Sequence, residues 1–273
     1  MNAMQPPQSI EEIKAGLETT EKGGVRQSIR NCLTVFQRDP LLSGAIAYNI
    51  LTDRKDIINH LYSGMETGSD QILKLINKGF DADIVVRSGC MAKEADMILS
   101  EFILLGIGGK ELSEENAAQT AKALNIIQPD FIRVHATGIK PESKLGEFVR
   151  NGSFALQSEE EIVVEQKLFL QQLHEMDSYY VNEHIVNLLL EIRGNLRTEK
   201  QEMLSTIDRF LTLPPDERLL FAVGRRLNIF FRLDDLKKPK LHQKAEESLQ
   251  QIVSKNPHVD FAALCNYVRQ SQI

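Results

Sequence analysis

No two cysteines in this chain stand close enough in sequence to form a C-x-x-C or similar pair; Cys32, Cys90 and Cys265 are scattered through 273 residues. That spacing provides neither a structural zinc ligand set nor a disulfide framework, and separate reduced thiols are the expectation. The chain also lacks a run of about eighteen apolar residues, so no transmembrane helix is expected. Met1 to Gln8, with two prolines, lacks the charged and apolar regions of a signal peptide, which points to a cytoplasmic protein. An excess of basic charge is missing as well. Lys and Arg number 32 against 38 Asp and Glu, and the net charge of -6 gives no overall electrostatic reason to expect nucleic acid. What is present is a 42% hydrophobic composition, enough for one large core or two modest ones without help from disulfides or metals.

Val25, Ile29, Leu33 and Phe36 recur at helical spacing, and Asp39-Pro40 ends that helix. A small hairpin is expected next, with strands at 45–50 and 55–58 joined at Thr52-Asp53-Arg54. From about Tyr62 the pattern changes to alternating helices and strands. It starts with a turn at Gly64 to Ser69 and a helix carrying Ile72, Leu75 and Ile76 on one face, ended by Gly79. Ser100 to Leu105, stopped by Gly106-Ile107-Gly108-Gly109, suits a buried strand leaving the edge of a parallel sheet. The next helix would be capped by Ser113 and buried along Ala117, Ala121 and Leu124, and Asp130 to Ala136 reads as a strand. Strand, helix, strand in that order implies right-handed crossovers with a functional face at the C-terminal strand ends.

After Phe154 the pattern reads as almost wholly helical. Capping boxes are expected at Ser158 with Glu161 and at Thr198 with Gln201, and Pro214-Pro215 breaks the run. Three further helices follow between 216 and 273, with Pro239 and Pro257 near their boundaries. The fold class expected is therefore α/β, a partial parallel (β/α) barrel followed by a helical C-terminal region. The domains would be an N-terminal helix and hairpin segment over 1–60, the partial barrel over 61–155 and the helical region over 156–273.

Tyr62-Ser63-Gly64-Met65-Glu66-Thr67-Gly68-Ser69-Asp70, followed by Ile76-Asn77-Lys78-Gly79, resembles the G-[LM]-E-[ST]-G-S-D segment of the radical S-adenosylmethionine proteins. Phe102 to Gly109, Gln128 to Val134 and Pro141 to Leu145 are similar to that family's later strand and glycine turn, next strand and P-G-T-P-L-type loop. Tyr180 to Leu188 resembles a branch of the family known only as radical SAM proteins or iron-sulfur oxidoreductases. The likeness covers roughly 62–235. It implies a half barrel, S-adenosylmethionine and a four-iron four-sulfur cluster as cofactors, and reductive cleavage to a 5′-deoxyadenosyl radical. The C-x-x-x-C-x-x-C that holds the cluster would precede Tyr62, where only Cys32 is found, and three thiolates are needed. The implied protein is thus a truncated family member, inactive alone, whose missing half another chain could supply. Residues 16–60 resemble a segment of the virulence-associated E family of phage and mobile-element proteins, through Thr20 to Gly24, Asn31 to Leu33, Asp39 to Leu41 and Ala47 to Asn49. No Walker A lysine motif is present. The whole reads as a junction of two gene fragments or an assembly error, and the rival reading is an interaction or nucleic-acid-binding protein of a mobile element.

The resemblance implies cofactor-binding positions at Glu66, Lys78, Gly106, Gly108 and Gly109, with no catalytic residue and no metal ligand assigned. Glu66 would meet the ammonium of S-adenosylmethionine, and the plain alternative is a solvated turn carboxylate. Lys78 suits a ligand carboxylate or an ordinary helix C-terminus. The glycines would let backbone approach an adenosine or ribose, or simply make a turn. They do not form a phosphate loop, because Glu111, Glu114 and Glu115 repel an anion there. His135, His174 and His184 fall on different expected elements and suggest no metal site. His184, near Tyr179, Tyr180 and Asn187, is either a proton donor at a barrel mouth or a surface or capping histidine. Arg225, Arg226, Arg232, Lys237, Lys238 and Lys240 make a basic stretch near Phe230 and Phe231, best read as a solvated helix face with the phenylalanines in the core.

Overall fold

The computed structural model describes residues 60–272. The helix, hairpin and virulence-associated E resemblance expected before His60 lie outside the described residues, as does Cys32. The described chain is an α/β unit: a five-stranded, mostly parallel sheet, forming part of a (β/α) barrel, followed by a helical region.

Strand β1 spans His60–Glu66, and helices α1, Asp70–Leu75, and α2, Ala82–Glu94, lead to β2, Ile98–Leu105. Helix α3, Ser113–Ile127, crosses to β3, Phe131–Ala136. After α4, Lys144–Arg150, and α5, Glu159–Gln172, come the short strands β4, Tyr179–Val181, and β5, Gly194–Asn195. The sheet order follows the chain, with β1 to β4 parallel and β5 antiparallel to β4.

Several local expectations change. Gly64 to Ser69 is not simply a turn, because Gly64 continues β1 as far as Glu66, where the register with β2 shifts. Ser100 to Leu105 does not leave an edge; β2 lies between β1 and β3, and among the described residues β1 and β5 are the edge strands. The pattern did not expose α2, whose cap is Asp81, accepting from the Ile84 amide at 2.9 Å. Ser113 is the first residue of α3 rather than its cap; its hydroxyl donates instead to Glu165 Oε2 at 3.0 Å. Thr198 and Gln201 form no capping box, and Glu199 precedes the helix without a side-chain cap bond. The region after Phe154 is not wholly helical, since β4 and β5 extend the sheet. The Ser158 and Glu161 box does form, with both of its hydrogen bonds.

The helical region consists of α6, Lys200–Leu211, α7, Pro215–Arg226, a 3-10 turn, Leu233–Lys237, and helices α8, Pro239–Lys255, and α9, Phe261–Gln270. One apolar cluster runs from Met65 in β1 through Ala121, Leu124 and Phe169 to Phe221, Phe230 and Ala245. Arg225 and Arg226 do not belong to a solvated face. Both are buried, and Arg225 donates to the carbonyls of Leu188 and Asn187 at 2.9 and 2.8 Å.

Buried Glu159, at the start of α5, accepts from Arg226 Nη2 at 2.6 Å and from Arg269 of α9. Burial opposes its ionisation, but the two guanidinium groups prevail and bring its pKa to about 2. A folded-state pKa below the ordinary 4.5 adds stability above that value, and the contribution is lost as pH falls toward 2. Replacing Glu159 by alanine leaves two buried cations without their anion and is expected to cost about 3–5 kcal/mol. A lower urea midpoint at unchanged slope measures this.

Candidate functional site

The residues after β1 each have an identifiable local task. The Gly68 amide donates to Thr120 Oγ1 at 2.9 Å, and a Cβ on Gly68 would stand 2.3 Å from the Gln119 carbonyl oxygen. Only glycine lets this turn lie against α3. Ser69 caps α1 and donates to Glu115 Oε1 at 3.1 Å, while Asp70 Oδ1 accepts from the Ala82 amide at 2.7 Å at the start of α2. Gly68→Ala is expected to destabilise the chain by about 1–3 kcal/mol through overpacking, measured by chemical denaturation.

Glu66 stands apart. It adopts φ +63, a left-handed backbone uncommon for a residue with a side chain, at the register shift that ends β1. Such strain persists only where surrounding structure holds it, and it clusters at working sites. Its Oε1 accepts from Lys78 Nζ at 2.8 Å. Two residues singled out separately by sequence are therefore one ion pair, both side chains partly exposed.

The pair lines a cleft of about 440 Å3 at the C-terminal strand ends. Leu104, Ile107 and Ile139 supply apolar wall, and Thr137, Lys140 and Lys144 come from the segment after β3. Thr137 is buried, and its Oγ1 has no hydrogen-bond partner. Gly106, Gly108 and Gly109 are buried beside the cleft without lining it. Gly106 and Gly109 have φ of +81 and +62, and a Cβ on Gly109 would meet the Ala155 carbonyl oxygen at 2.8 Å. Their turn is held by a residue the sequence did not reveal. Buried Glu165 accepts from the Gly106 amide at 3.1 Å and from Asn116 Nδ2 at 2.7 Å, and burial raises its pKa.

His135 and His184 come together, their ring centroids 4.3 Å apart. Burial, then His184 and Arg133, push His135 down to about 4. His184 Nδ1 accepts from the Val186 amide at 3.4 Å within a turn, and no helix begins there for it to cap. Nearby Asn187 continues the sheet with its side chain, accepting from the Ala136 amide and donating to the Val134 carbonyl, both at 2.7 Å.

The described thiols do not suit an iron-sulfur cluster, which needs thiolates. Burial and then Glu94 raise the Cys90 pKa. Burial and then Glu159 raise that of Cys265 to about 12. Among the described residues no group of three His, Cys, Asp or Glu side chains could hold a metal ion, and no helix is long and apolar enough to cross a membrane.

Other clefts are present. One, about 510 Å3, includes Arg209 and Asp234, which pair at 2.7 Å, and it shares no residue with the strand ends. Another, about 420 Å3, lies beside β1 and reaches Glu101, whose Oε2 is buried and unpartnered. Burial raises Glu101 from 4.5 to about 7, against the hydrogen bond from Ser63. A carboxyl raised on folding contributes stability in full below 4.5, and that contribution disappears as pH rises through about 7. Glu101→Gln should therefore match the wild type at about pH 5 and exceed its stability by roughly 1–3 kcal/mol at about pH 8.5, read from urea denaturation at each pH.

The fold and cleft define a class: a partial parallel (β/α) barrel with a ligand-sized cleft at its C-terminal strand ends. Among solved structures, the archaeal Methanocaldococcus infernus Elp3 with an N-terminal deletion is similar at 15% identity and a TM-score of 0.42, over 63% of this chain and 43% of that one. This chain thus spans less than half the length of that protein. No protein-family model and no curated protein matches the sequence.

Proposed function

We propose that the chain is a radical S-adenosylmethionine-like protein whose described region binds S-adenosylmethionine, or its amino-acid end, without itself providing the cluster that reductive cleavage requires. The observation that carries the reading is the Glu66 and Lys78 pair, 2.8 Å apart at the rim of the strand-end cleft. A zwitterion satisfies both partners at once, its ammonium donating to Glu66 and its carboxylate accepting from Lys78. The pair then opens with no charge left uncompensated. Thr137 offers a hydroxyl without a partner, and the apolar wall suits the uncharged part of a nucleoside. The turn at Gly106, Gly108 and Gly109, fixed by Glu165, shapes the neighbouring backbone.

S-adenosylmethionine supplies a radical only when an iron-sulfur cluster reduces it, and the described residues do not fit that cluster. The activity proposed is therefore binding. The edge position of β1 among the described residues supports a further element of the proposal, in which a strand outside the described residues, from this chain or another, pairs there.

Calorimetric titration of the full chain with S-adenosylmethionine, and with S-adenosylhomocysteine for comparison, tests the reading. Binding is expected, and Glu66→Gln and Lys78→Met should each weaken it about tenfold. No heat with either ligand, or affinities untouched by both substitutions, would rule the proposal out.

A further inference from the structure

The sheet side that carries Tyr62 and Arg133 is paved with rings. In register, Tyr62 stands beside Ser100, Ser100 beside Phe131 and Phe131 beside Tyr179. The next row carries Gly64, Phe102 and Arg133. Residues paired across neighbouring strands, and residues two apart along a strand, share one face. His60 stacks on Tyr62 with centroids 4.3 Å apart and 16° between the planes. Tyr62 and Phe102 lie 6.2 Å apart, and Phe131 and Tyr179 lie 6.4 Å apart. These rings are not core. Tyr62 is 54% exposed and Tyr179 38%, and the others are half-buried.

Arg133 occupies the middle of this surface. Its guanidinium carbon lies 5.3 Å from the Tyr62 centroid, 5.5 Å from that of Phe131 and 5.9 Å from that of Phe102. Its Nε donates to Ser100 Oγ at 3.3 Å, an oxygen also 2.9 Å from His60 Nε2. The small buried serine makes room for the cation and orients it. Among the described residues, the terminal nitrogens of that guanidinium make no hydrogen bond. None of the β1 to β3 positions on this face is acidic except Glu66 at the far end, which Lys78 neutralises. In a chain of net charge -6, this is a local reversal of sign.

We infer that this face binds single-stranded nucleic acid, with unpaired bases stacking on the exposed tyrosines and a phosphate held by Arg133. Every base has a π-face, so a row of rings takes a strand without reading its sequence. A duplex keeps its base faces stacked and cannot use the rings. The phosphate meets the caged arginine locally, whatever the total charge of the protein. The basic stretch near Arg225 has no part in this surface. The inference is also independent of the S-adenosylmethionine reading, which rests on the cleft.

Fluorescence anisotropy of the full chain with labelled oligouridine and oligothymidine of about ten nucleotides tests it, beside a duplex of equal length. At low salt both single strands bind, and the duplex binds at least about tenfold more weakly. Tyr62→Ala and Tyr179→Ala each weaken binding about fivefold or more, while Tyr62→Phe retains it. Arg133→Ala lowers the slope of log affinity against log salt by about one. Both tyrosines are exposed enough for their variants to fold, which thermal unfolding verifies. The inference is overturned by absence of binding at low salt, or by affinity indifferent to both alanine variants. Self-association on sizing that Tyr62→Ala abolishes would overturn it too, by assigning the face to a protein contact.

Discussion

The carboxylate of Glu159 ties together parts of the molecule that are far apart in sequence. It sits at the first turn of α5, where negative charge complements the helix dipole, and accepts from Arg226 of α7 and Arg269 of α9. Arg226 also donates to the Val186 carbonyl at 2.9 Å, and Arg269 Nε to the Thr137 carbonyl at 2.9 Å. Asn266, one turn before Arg269, donates to and accepts from Ile139. The last helix is thereby fastened to the segment leaving β3, and that segment forms one wall of the strand-end cleft. A buried cation is tolerable only while its anion is present, so the position of Thr137 depends on three charges, carried by α5, α7 and α9.

The same economy governs the turn regions. Burial makes any unpaired carboxylate costly, and Glu165 meets that cost by satisfying a backbone amide and two side chains around the glycine turn. Glu101 meets it less completely, with one oxygen lacking a partner. Glu66 escapes it by remaining partly exposed beside Lys78. Three glutamates near the sheet thus hold three different electrostatic positions, and only Glu66 sits in strained backbone at the mouth of a cleft.

Helices with regular apolar spacing were the most legible elements. Ala117, Ala121 and Leu124 line the buried side of α3, and the Ser158 and Glu161 box opens α5, both visible as local patterns. Strand β1 was harder to read because Gly64 and the residues after it carry turn chemistry, while pairing with β2 holds them extended. Helix α2 escaped because its buried set includes Gly89, packed against Ile127, which a periodicity of large apolar residues does not register. Strands β4 and β5 are too short to show alternation; their existence depends on β3 being there to pair with β4.

The sequence by itself determined the alternation of strands and helices from β1 to β3 and the apolar stripes of helices such as α3. Those features follow from spacing along the chain, and spacing is local information, whereas Glu66 and Lys78 became candidates only through the family resemblance. The tertiary structure alone decided that Glu66 and Lys78 form one pair, that Arg225 and Arg226 lie inside, and that Tyr62, Phe131 and Arg133 share a surface. Each of these depends on strands and helices tens of residues apart meeting in a particular register. Register is set by the packing of the whole core and cannot be read from any one segment.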